Sequence, residues 1–311
     1  MPELPEVHTT ATFLDRALRG KIITNAWSDY HVKSVQKIGI KDSKLFSVFS
    51  NKILGKKILS VTRRAKNILF RLSDNISIVA HMKMTGHFLL GAYRRKKEWV
   101  GPIPPTFEHE EWIPTERGDL QNPFNRFIRF VISFSDGTTL ALSDLRRFAR
   151  IEFFDTLRLE NEFKKFGHEP LEKSFTFTVY KKQILKRTTG KIKTILMDQS
   201  IIAGIGNIYS DEILYSADVH PESNPSRIPH AELKKIYTAM RLILKKSIRL
   251  GGDSMSDYRK PDGTRGEFQN CHNAYRRTGK PCKKRNCSGI ITRKKVGGRS
   301  AHFCPIHQKL Y

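Results

Sequence analysis

Three things are scarce in this chain of 311 residues: cysteine, acidic charge relative to basic, and long apolar stretches. No apolar run approaches the roughly eighteen residues of a membrane-crossing helix, which excludes a helical membrane protein. The start, Met1-Pro2-Glu3, lacks the basic-then-apolar pattern of a secretory signal, and an intracellular protein is expected. Only four cysteines occur, Cys271, Cys282, Cys287 and Cys304. A disulfide scaffold would spread them through a small secreted chain. Confined to one end of a long chain, they point to a metal. Acids number 30 against 56 lysines and arginines, a net charge of +26. Such a surplus repels itself and asks for a polyanionic partner. Nucleic acid leads. An anionic membrane surface is second, and no long basic amphipathic helix or lipidation signal supports it. With 39% hydrophobic residues the chain can build packed cores, and its length suits two domains.

Apolar periodicity gives the outline. Val7, Ala11, Leu14 and Leu18 mark one helix face, stopped by Gly20. Strand-like runs follow at Ile22 to Trp27, Lys57 to Thr62, Ile68 to Leu72 and Ile76 to His81. Phe127 to Phe134, the turn Ser135-Asp136-Gly137 and Thr138 to Leu142 read as a hairpin, and Ile151 to Phe154 closes the series. One helix followed by many strands predicts a β-sandwich or barrel with a helix packed on it. Residues 91–126, with five prolines and two tryptophans, interrupt the pattern. They read as a long surface excursion whose acids make it a poor binder of phosphate and turn it away from any nucleic acid. The second half is helical: about Phe177 to Leu185, Ile192 to Met197, Ile208 to Tyr215 and Ala231 to Leu250. A loose stretch, Gly251 to Phe268, precedes the cysteine-rich end. The expected division is 1–155, a linker 156–174, then 175–270 and 271–311.

Chemistry concentrates in three places. Cys282 and Cys287 are followed, after a hairpin-sized loop, by Cys304 and His307. Two close pairs of thiolate and imidazole donors suit tetrahedral zinc, and the metal would fold a segment too small for its own core. His302 reads as a hairpin side chain and Cys271 as an ordinary thiol. The hairpin is basic, with Lys283, Lys284, Arg285, Arg293, Lys294, Lys295 and Arg299. Next, Gly204-Ile205-Gly206-Asn207 opens a helix, where bare backbone and amide hydrogens favour an anion; a helix corner using glycine for packing is the alternative. Last, removal of Met1 would expose the secondary amine of Pro2. An α-amine titrates near 8, about two units below lysine, so a far larger fraction of it than of a lysine is free at neutral pH. It can attack an aldehyde-like sugar carbon, with Glu3 beside it to move protons. Plain helix capping would also account for Pro5 and Glu6.

Taken in order, these residues resemble the formamidopyrimidine-DNA glycosylase and endonuclease VIII family across nearly the whole chain. Pro2-Glu3-Leu4-Pro5-Glu6-Val7 is similar to the formamidopyrimidine branch, the other branch usually having Gly at the place of Leu4. Arg63-Arg64-Ala65-Lys66 is similar to Arg-Arg-Gly-Lys, with Ala65 in place of Gly. His81-Met82-Lys83-Met84-Thr85-Gly86, Asp144-Leu145-Arg146-Arg147-Phe148 and Gly204-Ile205-Gly206-Asn207-Ile208-Tyr209 match further motifs, the last the helix–two-turns–helix signature. Arg299 stands where the family's zinc-finger arginine stands. The first ligand pair is wider than the family's usual Cys-x-x-Cys, and the second ends in His307.

The resemblance implies an α+β fold: an N-terminal β-sandwich with a packed helix, then a helix–two-turns–helix domain ending in a β-hairpin zinc finger. It implies a bifunctional glycosylase/lyase of base excision repair, a monomer working on duplex DNA with oxidised bases or abasic sites, in the cytoplasm or nucleoid if bacterial. Pro2 would be the nucleophile, Glu3 the acid/base, Lys66 a phosphate and sugar contact, and Glu6 a support. His81, Asn207 and Arg299 would hold backbone phosphates. Met84, Arg146 and Phe148 would fill the gap left by a flipped base. One structural zinc would sit on Cys282, Cys287, Cys304 and His307. Gly251 to Phe268 would be a mobile lid. Oxidised purines are the expected lesions. Oxidised pyrimidines, or a binding module without catalysis, are the alternatives.

Overall fold

The computed structural model describes residues 1–30, 39–100 and 107–311. Helix α1 (Leu4–Leu18) opens the chain and buries Val7, Ala11, Leu14 and Leu18, the face its periodicity marks. Strands β1 (Ile23–Ser28), β8 (Ile128–Phe134), β9 (Thr139–Ser143) and β5 (His87–Gly91) form one antiparallel sheet in that order. Strands β10 (Arg150–Asp155), β4 (Ile76–His81), β3 (Asn67–Leu72) and β2 (Ile58–Arg64) form the second. Side chains from both sheets and α1 share one core. Phe70 of β3 meets Phe88 of β5 edge to face across it, ring centroids 5.8 Å apart.

Two elements depart from the sequence reading. Helix α2 (Ser43–Ile53) was not anticipated. Asp42 caps it, accepting from the amides of Lys44 and Leu45, and Phe49 and Ile53 face the core. The stretch 91–126, read as a surface excursion between strands, contains a paired hairpin of its own. It pairs β6 (Tyr93–Val100) with β7 (Phe107–Pro114), setting Lys96 opposite Glu111 and Lys97 opposite Glu110. Trp112 fastens this hairpin to the first sheet by packing on Trp27, centroids 5.9 Å apart. Helix α3 (Thr156–Lys164) then leads out of the sandwich.

Helices α4 (Phe177–Leu185), α5 (Ile192–Leu196), α6 (Asn207–Ser216) and α7 (His230–Arg249) enclose a second core. Strands β11 (Thr292–Val296) and β12 (Arg299–Phe303) form the terminal hairpin. Helix α1 joins the halves. Its remaining face rests in the first core, whereas Leu4 lies in the second and donates its amide hydrogen to the Gly204 carbonyl at 3.0 Å. Gly204 has φ +94°, and a Cβ there would stand 2.7 Å from that of Leu4. Among the described residues no helix is long and apolar enough to cross a membrane.

Candidate active site

The first residues meet the start of α6. Pro2 is buried. The Glu3 carboxylate accepts from the amides of Gly206 (2.6 Å) and Ile208 (2.9 Å). These amides have no partner inside the helix, and the positive end of the helix dipole favours the charge placed on them. Lys66 completes the cluster. A Cβ on Gly206 would lie 2.5 Å from Glu3 Cδ and 2.7 Å from Lys66 Nζ, so carboxylate and ammonium crowd the same bare backbone. Burial lowers the proton affinity of Lys66, the Glu3 and Glu6 carboxylates oppose that, and the nearby Arg299 guanidinium adds to it. A buried amine held this way is an easier proton donor than a surface lysine.

Glu6 lies behind Glu3. Its Oε2 accepts from the Glu3 amide at 2.7 Å, and its Oε1 from Asp253 N–H (2.8 Å) and the Tyr209 hydroxyl. Burial pushes Glu6 up to about 7, against the Tyr209 hydrogen bond and with help from the Glu3 charge. Because the folded value lies above the ordinary one, Glu6 favours the fold most below about 4.5, and that contribution is lost as pH rises through about 7. The swing is on the order of 3 kcal/mol. Unfolding free energies of wild type and Glu6→Gln should therefore diverge in favour of wild type on acidification across this window. A pH-independent difference would rule out a buried ionisable Glu6.

A residue that sequence reasoning missed positions Lys66. Glu169, 105 residues beyond Arg64, is 5% exposed and accepts from Arg63, from Arg64 (2.9 Å) and from the Ala65 amide (2.7 Å). Arg64 also donates to the carbonyls of Phe166 and Gly167. This clamp holds Ala65 at φ +54°, a conformation natural to the glycine it replaces in the resemblance. Glu169→Ala should destabilise the protein by about 3–5 kcal/mol in denaturant unfolding, since it strands two half-buried guanidinium groups.

The remaining candidates fall into two groups. His81 neighbours Lys66 and Lys83. Burial, then those charges, lowers it to about 3. Its Nδ1 accepts from the Lys83 amide at 2.9 Å, so the neutral ring carries its hydrogen on Nε2. Asn207 is the first residue of α6, and its Oδ1 is buried without a partner among the described residues. Arg299 is exposed at the start of β12. The second group is Met84, Arg146 and Phe148. Met84 is 43% and Phe148 44% exposed. Arg146 Nη1 lies 3.2 Å from Met84 Sδ, and its guanidinium 4.4 Å from the Phe148 ring centroid. Buried Asp144 anchors this loop, accepting from Tyr30 Oη (2.7 Å), the Ala149 amide (2.8 Å) and Thr85 Oγ1.

Residues 251–268, where a lid is expected, make ordered contacts in this structure. They form a strap tucked between the halves, with Tyr258 and Arg259 buried. Tyr258 donates to the Glu6 carbonyl (3.1 Å), and Leu90 donates its amide hydrogen to the Pro261 carbonyl (2.7 Å). The composition signalled loop, but the two residues that buried it, Tyr258 and Arg259, carry no periodic signal.

At the end of the chain, one ligand atom from each of Cys282, Cys287, Cys304 and His307 lies within 4.8 Å of the others. Cys287 Sγ and Cys304 Sγ are 3.6 Å apart, and Cys282 Sγ and His307 Nδ1 3.3 Å. Donors on a tetrahedral zinc stand about 3.3–3.8 Å apart. His307 Nε2 faces the Tyr215 carbonyl at 3.3 Å, leaving Nδ1 as the ligand. A Cβ on Gly289 would come 2.3 Å from Cys304 Sγ, so the cradle is already close-fitted. The residues fit such an ion. Cys271 stays outside, packed against the second core. Several hairpin cations act inward: Lys284 pairs with Asp218 (2.6 Å), Lys294 with Glu222, and Lys283 donates to the His272 carbonyl. His302 bonds Asp211 of α6 through its amide (3.0 Å) and its Nδ1 (2.8 Å).

Comparison with known proteins agrees with this architecture. Residues 1–151 match the model of the formamidopyrimidine-DNA glycosylase N-terminal domain, and 166–259 that of its H2TH domain. The chain is 35% identical over its whole length to the full formamidopyrimidine-DNA glycosylase of Pelotomaculum thermopropionicum. It is 33% identical over 99% of its length to all of the Streptococcus mutans protein of that name. Among solved structures, Lactococcus lactis Fpg in complex with abasic-site-containing DNA superposes with a TM-score of 0.79, at 27% identity over 99% of each chain. The same organism's enzyme with a Fapy-dG-containing DNA gives 0.78, at 28% identity over 99% of this chain and 100% of that one. Whole-length identity of this order, on a fold whose first residues seat against the start of α6, means that the chain belongs to the formamidopyrimidine-DNA glycosylase family of DNA glycosylases.

Proposed function

We propose that the protein is a bifunctional DNA glycosylase and abasic-site lyase of base excision repair, acting on duplex DNA that carries oxidised purines such as 8-oxoguanine and formamidopyrimidines. The observation that carries this reading is the seating of Glu3 on the Gly206 and Ile208 amides beside Lys66, directly after Pro2. Once Met1 is removed, the Pro2 nitrogen attacks C1′ of the damaged nucleotide. The N–C1′ bond forms as the glycosidic bond breaks, and the base leaves with a proton. Glu3, fixed by two amides, is placed to shuttle that proton, and Lys66 is a second donor beside it. The C1′–O4′ bond then breaks, O4′ taking a proton from Glu3, and the ring-opened iminium that results acidifies the 2′ carbon, so elimination breaks first the 3′ and then the 5′ C–O bond.

The donors His81 Nε2, Asn207 and Arg299 are suited to strand phosphates, the neutral imidazole as a hydrogen-bond donor and the guanidinium as a charge. The exposed set Met84, Arg146 and Phe148 is suited to occupy the gap of an everted base. Leu4 and this complete set favour purine lesions. A structural zinc on Cys282, Cys287, Cys304 and His307 would hold the hairpin that carries Arg299.

Borohydride trapping on an abasic duplex tests the reading. A covalent adduct is expected, mapped by mass spectrometry to a chain beginning at Pro2, with none from a chain that retains Met1. Incision of an 8-oxoguanine duplex should exceed that of an oxidised-pyrimidine duplex. A protein of verified Pro2 start that binds the abasic duplex without trapping would be a binding module instead.

A further inference from the structure

Two buried titratable groups have no part in the chemistry above, the side chains of Asp253 and His272. They are 3% and 2% exposed, and His272 Nε2 stands 2.5 Å from Asp253 Oδ2. Neither that oxygen nor either ring nitrogen has a further hydrogen-bond partner among the described residues. The imidazole meets Phe268 and Tyr275 edge to face, centroids 5.6 and 5.5 Å away. Asp253 belongs to the first turn of the strap, which closes over Glu6. Gly252 before it has φ +87°, and a Cβ there would stand 2.9 Å from Glu6 Cγ. The Asp253 amide donates to Glu6 Oε1 at 2.8 Å. Glu6 Oε2 in turn accepts from the Glu3 amide, the nitrogen of the peptide bond that follows Pro2.

A carboxylate taken out of water is costly unless partners hold it. Asp253 Oδ1 has one, the Met255 amide at 3.0 Å. Oδ2 has His272 alone. Without the imidazole the carboxylate would have to turn toward water. Its own backbone amide sits on the same residue, so that rotation would lift the donor off Glu6. The neighbours Gly252 and Ser254 are fixed by the Ser247 carbonyl (2.9 Å) and by Gln269 Oε1 (2.8 Å), which leaves Asp253 as the part of the turn that His272 decides. Glu3, Lys66, Tyr209 and Tyr258 also face Glu6. Glu212 and Tyr275 also face His272, whose carbonyl takes Lys283 and Arg277. Resting on the function proposed above, we propose that His272 is a positioning residue of the reaction: by pairing with Asp253 it holds the first turn of the strap on the Glu6 carboxylate, and through Glu6 it fixes the peptide that carries the Pro2 nucleophile.

The test uses the full-length, metal-containing protein. His272→Phe keeps a ring between Phe268 and Tyr275 and removes the partner of Asp253. Single-turnover borohydride trapping on an abasic duplex should slow about tenfold, the worth of one hydrogen bond to a charged group. Affinity for a duplex with an uncleavable abasic analogue should stay unchanged. The Asp253 amide favours the ionised form of Glu6, so its loss moves the Glu6 titration upward. In carbon-13 spectra assigned with Glu6→Gln, that titration should fall at about 7 in wild type. It should lie about one pH unit higher in His272→Phe. Adding Asp253→Asn to His272→Phe removes the buried charge and should return both the rate and the titration to wild-type values. His272→Gln keeps a donor at the place of Nε2 and should match wild type in both, which provides a second variant if His272→Phe does not fold. Wild-type behaviour of His272→Phe, a loss that Asp253→Asn leaves uncorrected, or an equal loss in His272→Gln would overturn the proposal. The titration is read without DNA, so a wild type that never traps would sink the catalytic reading and leave this one to be decided on Glu6.

Discussion

Gly206→Ala should abolish incision while the protein stays folded. The added methyl would stand 2.5 Å from Glu3 Cδ, 2.6 Å from Glu3 Oε1 and 2.7 Å from Lys66 Nζ, distances that no real Cβ tolerates. The backbone is not the obstacle. Gly206 has φ −135° and ψ −150°, extended geometry open to alanine. The cost therefore falls on the carboxylate and the ammonium, which must move apart by more than half an ångström. Displacement of a reacting group by about 1 Å costs on the order of 100-fold in rate. Losing the two amide bonds to Glu3 adds to that. Single-turnover incision of an 8-oxoguanine duplex should fall at least about 100-fold, with far-ultraviolet dichroism unchanged. Near-wild-type rates would show that Glu3 need not sit on the α6 amides.

Metal removal should give the second large effect. Ordinary structural zinc contributes about 10–16 kcal/mol in isolated finger peptides, far more than the small satellite core of Tyr215, Ala274, Ile291 and Cys304 could supply. Chelation should expose the amides of β11 and β12 to hydrogen exchange while α1 and the sandwich keep their protection. Arg299 would lose its place beside Lys66. The slope of log affinity against log salt should then fall by about 1, as for one lost phosphate contact. Protection that survives chelation would mean that the ties from His302 to Asp211 and from Lys294 to Glu222 hold the hairpin without metal.

Legibility in the sequence followed the range of the interactions. The face of α1, most strands of the sandwich, the four helices after α3 and the ligand spacing are local patterns, and they could be read. Glu3, Lys66 and Gly206 came from motifs, which named residues but not their convergence. Glu169 could not be found, because Arg63 and Arg64 advertise a need for an acid without saying which of many will answer. Helix α2 was legible in retrospect from Asp42 and the Phe46, Phe49, Ile53 spacing, in a stretch whose lysines and serines hid it. The ties of the strap were not legible because glycine, serine and aspartate suggest freedom, whereas the partners of Tyr258 and Arg259 stand 248 residues away or in the far half of the molecule.

The amide contact that steadies Glu3 spans 203 residues. During synthesis, then, the proposed reactive end emerges first and its counterpart nearly two-thirds of the chain later. Until the glycine turn arrives, the unmasked proline would be an ordinary amine among cellular aldehydes. On the proposed reading the site is completed only with the second half of the chain, so a truncated product would carry the proposed nucleophile without the amides that hold Glu3.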